Sequence, residues 1–261
     1  MKRKENEEVP KKKKTNLSEE KLANIYKLVS EGKSKQARRL IPVKIRHHVL
    51  RLKDGTNIQR YGKSPLLNFV AQEGSCDLLE CLLDGGADIE RREPYGDTPL
   101  VAAARNGNNE CCELLINRGA NIEARCSAIG DTSLIAASIR GETSTCKLLL
   151  RRGANINACN NLNRSALYHA VACDRISVVK LLLSEGARFY IDYVNGYTPL
   201  DLAIKQNKPE IVSLFENHLV TTNLSGIISR GLTDGFEFSD FLVKGICDAR
   251  LFIIVAKFAY N

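Results

Sequence analysis

Residues 96–122 read GDTPLVAAARNGNNECCELLINRGANI, and three features of that stretch return along the chain at a fixed distance. A Thr or Ser before an apolar segment falls at Ser64, Thr98, Thr132, Ser165 and Thr198, with intervals of 34, 34, 33 and 33 residues. A Gly-Ala pair follows at Gly86-Ala87, Gly119-Ala120, Gly153-Ala154 and Gly186-Ala187, spaced by 33, 34 and 33. Midway lie Gly74, Gly107, Gly141, Asp174 and Asn207, again 33 or 34 apart. Three markers in one register define an internal repeat, which governs every later reading of the chain.

Each marker has a physical task. A Thr or Ser hydroxyl accepts a bond from an N–H that the first helical turn leaves unpaired. Pro65, Pro99 and Pro199 follow such a residue, at the helical position where a missing N–H costs nothing. The midway Gly suits a left-handed residue that ends a first helix. Asp174 and Asn207 take its place in the last two repeats, and these are the residue types that tolerate that conformation best after Gly. An apolar second helix follows, with Leu78-Leu79, Leu114-Leu115, Leu148-Leu149 or Val178-Val179. Each repeat therefore reads helix, turn, helix, extended turn. Neither helix can bury its apolar side alone, so stability requires stacking.

The pattern Gly96-Asp97-Thr98-Pro99-Leu100, Ala102-Ala103, Gly107, Leu114-Leu115, Gly119-Ala120-Asn121-Ile122 closely resembles the ankyrin repeat, over about residues 58–218 and five repeats. The resemblance implies an all-α ankyrin-repeat solenoid of helix-turn-helix units with β-turn fingers, flanked by helical capping segments. One departure is consistent: the family's His after Thr-Pro-Leu is replaced by Leu67, Val101, Ile135, Tyr168 and Asp201, with His169 one place along. Its usual hydrogen bond is expected to be missing.

Outside the repeats, residues 1–16 are dense in charge and expected to lack order. Residues 17–57 read as a helical N-terminal cap, with Leu22, Ile25, Tyr26 and Val29 at helical spacing, an end at Gly32, and a second helix over Lys35 to Leu40. Residues 219–261 do not match the repeat and read as a helical C-terminal cap or a docking segment. Their apolar run from Leu251 to Ala256 is too short to span a membrane.

Charge is uneven. Residues 1–53 hold 17 Lys/Arg against 6 Asp/Glu, and residues 54–261 hold 21 against 24. The net +8 therefore belongs to the N-terminal fifth. Lys2, Arg3 and Lys4, with Lys11, Lys12, Lys13 and Lys14, resemble a nuclear import signal that would engage an import receptor. Nucleic acid is a weaker expectation for this tract, because no aromatic is interleaved to stack on bases. Nine cysteines, none in a Cys-x-x-Cys pair, fit a reducing compartment, so the chain is expected in the cytoplasm, the nucleus or both.

No His-Glu-x-x-His, Gly-x-Ser-x-Gly or phosphate-binding loop occurs, and the glycines sit at repeat spacing. The cysteines of the second helices occupy core positions, where a free thiol acts as a small hydrophobe. The chain is read as no enzyme, with no cofactor, no metal and no small-molecule substrate. The resemblance implies a protein partner held by turn tips and the ends of first helices. Those positions are Tyr61, Lys63, Tyr95, Asp97, Ile129, Asp131, Leu162, Arg164, Val194 and Tyr197 on the fingers, with Arg105, Asn106, Arg140 and Lys205 on the palm. One finger position holds Tyr61, Tyr95, Ile129 and Leu162 in turn. An apolar stripe at exposed tips, flanked by Arg and Asp, has the form of an interface core with a polar rim, and Tyr95 is expected to contribute most. The alternative is that these side chains fold back onto the neighbouring turn. A substrate-reading subunit of a ubiquitin ligase and a nucleic-acid-associated regulator are the rival functions. Asn157, in Gly153-Ala154-Asn155-Ile156-Asn157, resembles sites that an asparaginyl hydroxylase modifies in ankyrin proteins.

Overall fold

The computed structural model describes residues 19–40, 66–92, 96–126, 129–189 and 198–229. These residues form twelve α-helices and no strand, with one isolated bridge between Cys159 and Ser165. The fold class is all-α, a series of helical hairpins in keeping with the repeat read from the sequence. The chain divides into two compact units, Met1–Ala128 and Ile129–Asn261.

In the first unit, three helical hairpins stack: α1 (Glu19–Ser30) with α2 (Ser34–Leu40), α3 (Leu66–Gln72) with α4 (Cys76–Asp84), and α5 (Pro99–Arg105) with α6 (Asn109–Asn117). First helices lie against first helices and second against second. Their shared core includes Ile25, Tyr26, Phe69, Val70, Leu78, Leu79, Leu100 and Leu115. The Tyr26 and Phe69 rings lie 4.9 Å apart, which joins the first hairpin to the repeat after it.

The second unit repeats the arrangement with α7 (Ser133–Arg140) and α8 (Thr143–Arg151), α9 (Ala166–Ala172) and α10 (Ile176–Ser184), α11 (Pro199–Lys205) and α12 (Pro209–Ser229). Leu134, Ile135, Leu149, Leu167, Val178, Leu182 and Phe215 fill its core. Each fully buried side chain of this size stabilises by about 1.5–3 kcal/mol, so stacking rather than helix propensity carries these short helices.

Four of the five expected caps lie among the described residues and are present, while Ser64 lies outside them. The hydroxyls of Thr98, Thr132, Ser165 and Thr198 accept from the backbone N–H of Val101, Ile135, Tyr168 and Asp201. At Thr198 the bond is reciprocal, since the Asp201 carboxylate accepts from the Thr198 N–H at 3.1 Å. The midway residues are all left-handed, including Asp174 at φ 59° and Asn207 at φ 53°. At Gly141, φ is 89° and an added Cβ would lie 2.9 Å from the Arg175 side chain, so the left-handed backbone favours Gly there and a larger residue would also displace Arg175.

A tie between successive repeats uses the residue just after the left-handed position. Asn108 Nδ2 donates to the Ala71 and Gln72 carbonyls at 2.9 and 2.6 Å. Arg175 Nε donates to the Ile139 carbonyl at 3.0 Å. Lys208 Nζ donates to the Val171 and Ala172 carbonyls at 2.7 and 3.1 Å. Each side chain donates to carbonyls in the last turn of a preceding first helix; those of Ala71 and Val171 also accept from the N–H groups of Gly74 and Asp174.

The last repeat departs from the others twice. Position 219 holds Leu219 where Gly86, Gly119, Gly153 and Gly186 stand in the same register. With no left-handed Gly to end it, α12 runs on to Ser229, past the end of the repeat pattern at residue 218. Ile204 is 44% exposed, although Ala71, Ala104, Ser138 and Val171 of the same register are fully buried. The part of the C-terminal segment from residue 230 onward, which holds the apolar run, lies outside the described residues.

Candidate partner-binding surface

The turn before each first helix begins with the backbone. In the second unit, Gly130 takes φ 78° and an added Cβ would stand 2.4 Å from Asn161 Oδ1. The Asn161 N–H donates to the Ile129 carbonyl at 2.8 Å, which joins adjacent fingers. Asn160, buried beneath them, organises the second finger. Its Oδ1 accepts from the Leu162 and Arg164 N–H groups at 3.0 Å each, and its Nδ2 donates to Asp131 Oδ1 at 2.7 Å. Nδ2 also lies 3.2 Å from His169 Nε2. The His side chain one place along from the family position therefore does make a turn bond. Burial lowers the pKa of His169, which the Asp131 charge opposes and the Arg164 charge reinforces.

These bonds push two apolar side chains outward. Ile129 is 44% and Leu162 51% exposed. Ile139, on the outer part of α7, is half-buried, and Arg140 at its end is exposed. Arg164 is half-buried with its guanidinium 5.3 Å from the centre of the Tyr168 ring, a distance suited to a cation–π contact. Lys205 ends α11 and is exposed.

Two finger residues are not where the sequence suggests. Asp97 and Asp131 are 5% and 6% exposed, so they form no polar rim. Each sits between a left-handed Gly and a capping Thr, a backbone path that turns the carboxylate inward to a partner. For Asp131 the partner is Asn160. For Asp97 it is Arg105, paired at 2.5 Å and bonded through its second nitrogen at 3.1 Å. Arg105 is thereby committed to its own repeat rather than presented on the palm. Asn106 is exposed, but its Nδ2 caps its own helix through the Ala102 carbonyl at 2.9 Å. Asn157 Oδ1 accepts from the Arg188 N–H of the next repeat at 2.9 Å, a structural task that accounts for an amide at that turn.

Tyr61, Lys63, Tyr95, Val194 and Tyr197 lie outside the described residues, as does the basic tract from Lys2 to Lys14. Sequence reasoning missed Asn160 and the ties of Asn108, Arg175 and Lys208. Their signal was available in part, because the three ties share one position in the register.

Of the second-helix thiols expected in the core, Cys81 of α4 is only half-buried. Cys111, Cys112 and Cys146 are fully buried. Burial pushes the Cys112 thiol up to about 12 and that of Cys146 up to about 11, and raises Cys111 as well. A thiol held protonated is a poor nucleophile and metal ligand. Among the described residues, no group of three or more His, Cys, Asp or Glu is placed to hold a metal ion, and no helix is long and apolar enough to cross a membrane.

Comparison with known proteins adds the family. The family model described as ankyrin repeats (3 copies) matches residues 27–126, 67–160 and 134–223. An ankyrin repeat protein of Fowlpox virus (strain NVSL) is 34% identical over 192 residues, covering 71% of this chain and 56% of the viral protein. A transient receptor potential cation channel subfamily A member 1 homolog of Caenorhabditis elegans is 32% identical over 42% of this chain and 8% of its own length. The E3 ubiquitin-protein ligase KEG of Arabidopsis thaliana is 37% identical over 23% of this chain and 4% of its own length. The chain thus spans little more than half of the viral relative and a small part of the other two.

Proposed function

The chain belongs to the ankyrin-repeat family, whose members are in general interaction modules rather than enzymes, and on that premise we propose that it is an adaptor or regulatory scaffold that binds a protein partner through its turn tips. One observation carries the reading: Ile129 and Leu162 stand exposed on adjacent turns, which are joined by the bond from the Asn161 N–H to the Ile129 carbonyl and supported by the buried Asn160 side chain. Nothing in the repeat requires an apolar group at a tip, where polar residues are the norm. Exposed apolar side chains on a rigid support are what a partner can desolvate at low entropic cost. Tyr61 and Tyr95 hold the same register and extend the reading to the first unit.

The test uses the full chain as bait, compared with Ile129→Ser/Leu162→Ser and with Tyr95→Ala. A partner identified by mass spectrometry should bind the double variant at least about tenfold more weakly, or about 1.4 kcal/mol. Equal retention by the double variant refutes the reading.

The Lys2–Lys4 and Lys11–Lys14 clusters are proposed as an import signal that gives the adaptor access to the nucleus. Deleting residues 1–16 should shift a tagged chain to the cytoplasm and leave partner binding intact. Loss of the partner on that deletion would instead favour the nucleic-acid reading, especially if binding is steeply salt-dependent. A ubiquitin-ligase role draws support from the likeness to KEG, and it requires ligase components to co-purify with the chain.

A further inference from the structure

The last repeat ends the stack on a face that is buried in the earlier repeats. Ile204 of α11 falls in register with Ala71, Ala104, Ser138 and Val171, all fully buried, yet it is 44% exposed. Val212 of α12 falls in register with Leu79, Cys112, Cys146 and Val179, also fully buried, yet it is only half-buried. One cause accounts for both. Val171 and Val179 lie on α9 and α10, against which α11 and α12 pack. Among the described residues no helix follows α12 to do the same for Ile204 and Val212. A solenoid that ends in water carries polar side chains on its terminal face, and this one carries an isoleucine and a valine. The polar residue at a neighbouring position, Asp201, turns its carboxylate back to the Thr198 N–H and hydroxyl.

We infer that residues 248–258 of the same chain cover this face, as a helix laid over Ile204 and Val212. Their sequence suits the task. Asp248 is a residue type that caps a helix start, and Leu251, Phe252, Val255 and Phe258 recur at the spacing of one helical face. Ile253 and Ile254 widen that face, and a helix apolar on most sides is buried rather than solvated. The chain has the reach. Helix α12 runs to Ser229, past Asn217, the register position at which α4, α6, α8 and α10 end. That extension carries it about 18 Å onward. Residues 230–247 span up to about 60 Å when extended, enough to return to the face. A tethered segment also meets it at an effective concentration on the order of millimolar, which favours this occupant over a second copy of the chain. The stretch is thereby committed to the chain's own last repeat and is not presented to ligase components or another outside protein. The fingertips of the preceding repeats stay free for their partner.

Photocrosslinking of the full chain, with p-benzoylphenylalanine in place of Ile204 or of Val212, is the test. Trypsin cuts after Arg250 and Lys257 and releases Leu251–Lys257 as one peptide. That peptide should be joined to the probe at both positions, in a species of monomer mass. A product of dimer mass would put a second copy on the face and overturn the inference. So would an intrachain product with a peptide that holds none of residues 248–258, or the absence of any product. Chains without the bulky probe give a second readout. Ile204→Ser should lower the urea midpoint by at least about 0.3 M, and so should Leu251→Ser/Val255→Ser. The three substitutions together should lower it by clearly less than the sum, because a displaced helix already leaves position 204 open. A midpoint unmoved by Ile204→Ser, or shifts that add in full, would show a face open to water and overturn the assignment.

Discussion

Asp97 in the first unit and Asp131 in the second occupy the same place in the same Gly-Asp-Thr triplet, and they are buried to nearly the same degree. Their partners differ in kind. Asp97 pairs with the Arg105 guanidinium at the far end of its own helix, while its carbonyl accepts from Asn68 of the preceding repeat at 2.8 Å. Asp131 meets a neutral amide, Asn160, supplied by the following repeat. The position is therefore set by the backbone, and the partner is whatever donor the neighbouring sequence offers. The information available to a binding partner shrinks to the tips themselves.

The comparison breaks first if the two units do not share one kind of core. Leu115 and Leu149 are fully buried at equivalent positions of α6 and α8. Leu115→Ala and Leu149→Ala should each cost about 2–5 kcal/mol in urea unfolding. Tolerance of either one would mean that its unit is held by something other than stacked hairpins.

The next effect separates the two aspartates. Asp131→Ala leaves the buried Asn160 amide with a donor to satisfy, at about 1–3 kcal/mol. Asp97→Ala frees Arg105, whose side chain is 36% exposed and can return to water, so the loss should be nearer about 1 kcal/mol. A larger loss at Asp97 than at Asp131 would reverse the account of which partner matters.

Gly130 and Gly119 test the finger backbone. Both are left-handed, but an added Cβ meets Asn161 only at Gly130, with nothing within 4 Å at Gly119. Gly119→Ala should cost about 1 kcal/mol for the backbone alone, and Gly130→Ala should cost more. Equal losses would show that Asn161 swings aside freely.

The smallest effect is one of pH. Burial lowers the folded-state pKa of His169 from 6.5, so below that value the unfolded chain binds the proton more readily. Stability contributed by neutral His169 should be complete above about pH 6.5 and decline as pH falls through the lowered folded value. His169→Gln should flatten this limb of the urea midpoint against pH. An unchanged slope would detach His169 from the Asn160 network.

What could be read in the sequence was local chemistry repeated in register. The caps at Thr98, Thr132, Ser165 and Thr198 and the left-handed turns at Gly107, Gly141, Asp174 and Asn207 each depend on a few adjacent residues, and the structure has them. Asp97 and Asp131 misled because a charged residue next to a turn tip resembles a solvated rim. Their inward path depends on Arg105 and Asn160, eight and 29 residues away. The ties from Asn108, Arg175 and Lys208 share a position but no residue type, so only their geometry unites them. The tips Ile129 and Leu162 could be read as exposed or folded back, and their exposure shows that they point outward.

Supporting bonds and presented side chains should therefore be separable. Equilibrium urea unfolding of Ile129→Ser/Leu162→Ser against the unaltered chain measures that separation. The expected result is a free energy within about 0.5 kcal/mol per substitution, as for surface positions without special features. A loss of about 2 kcal/mol or more per substitution, the scale of buried apolar groups, would contradict it and make these side chains part of the fold.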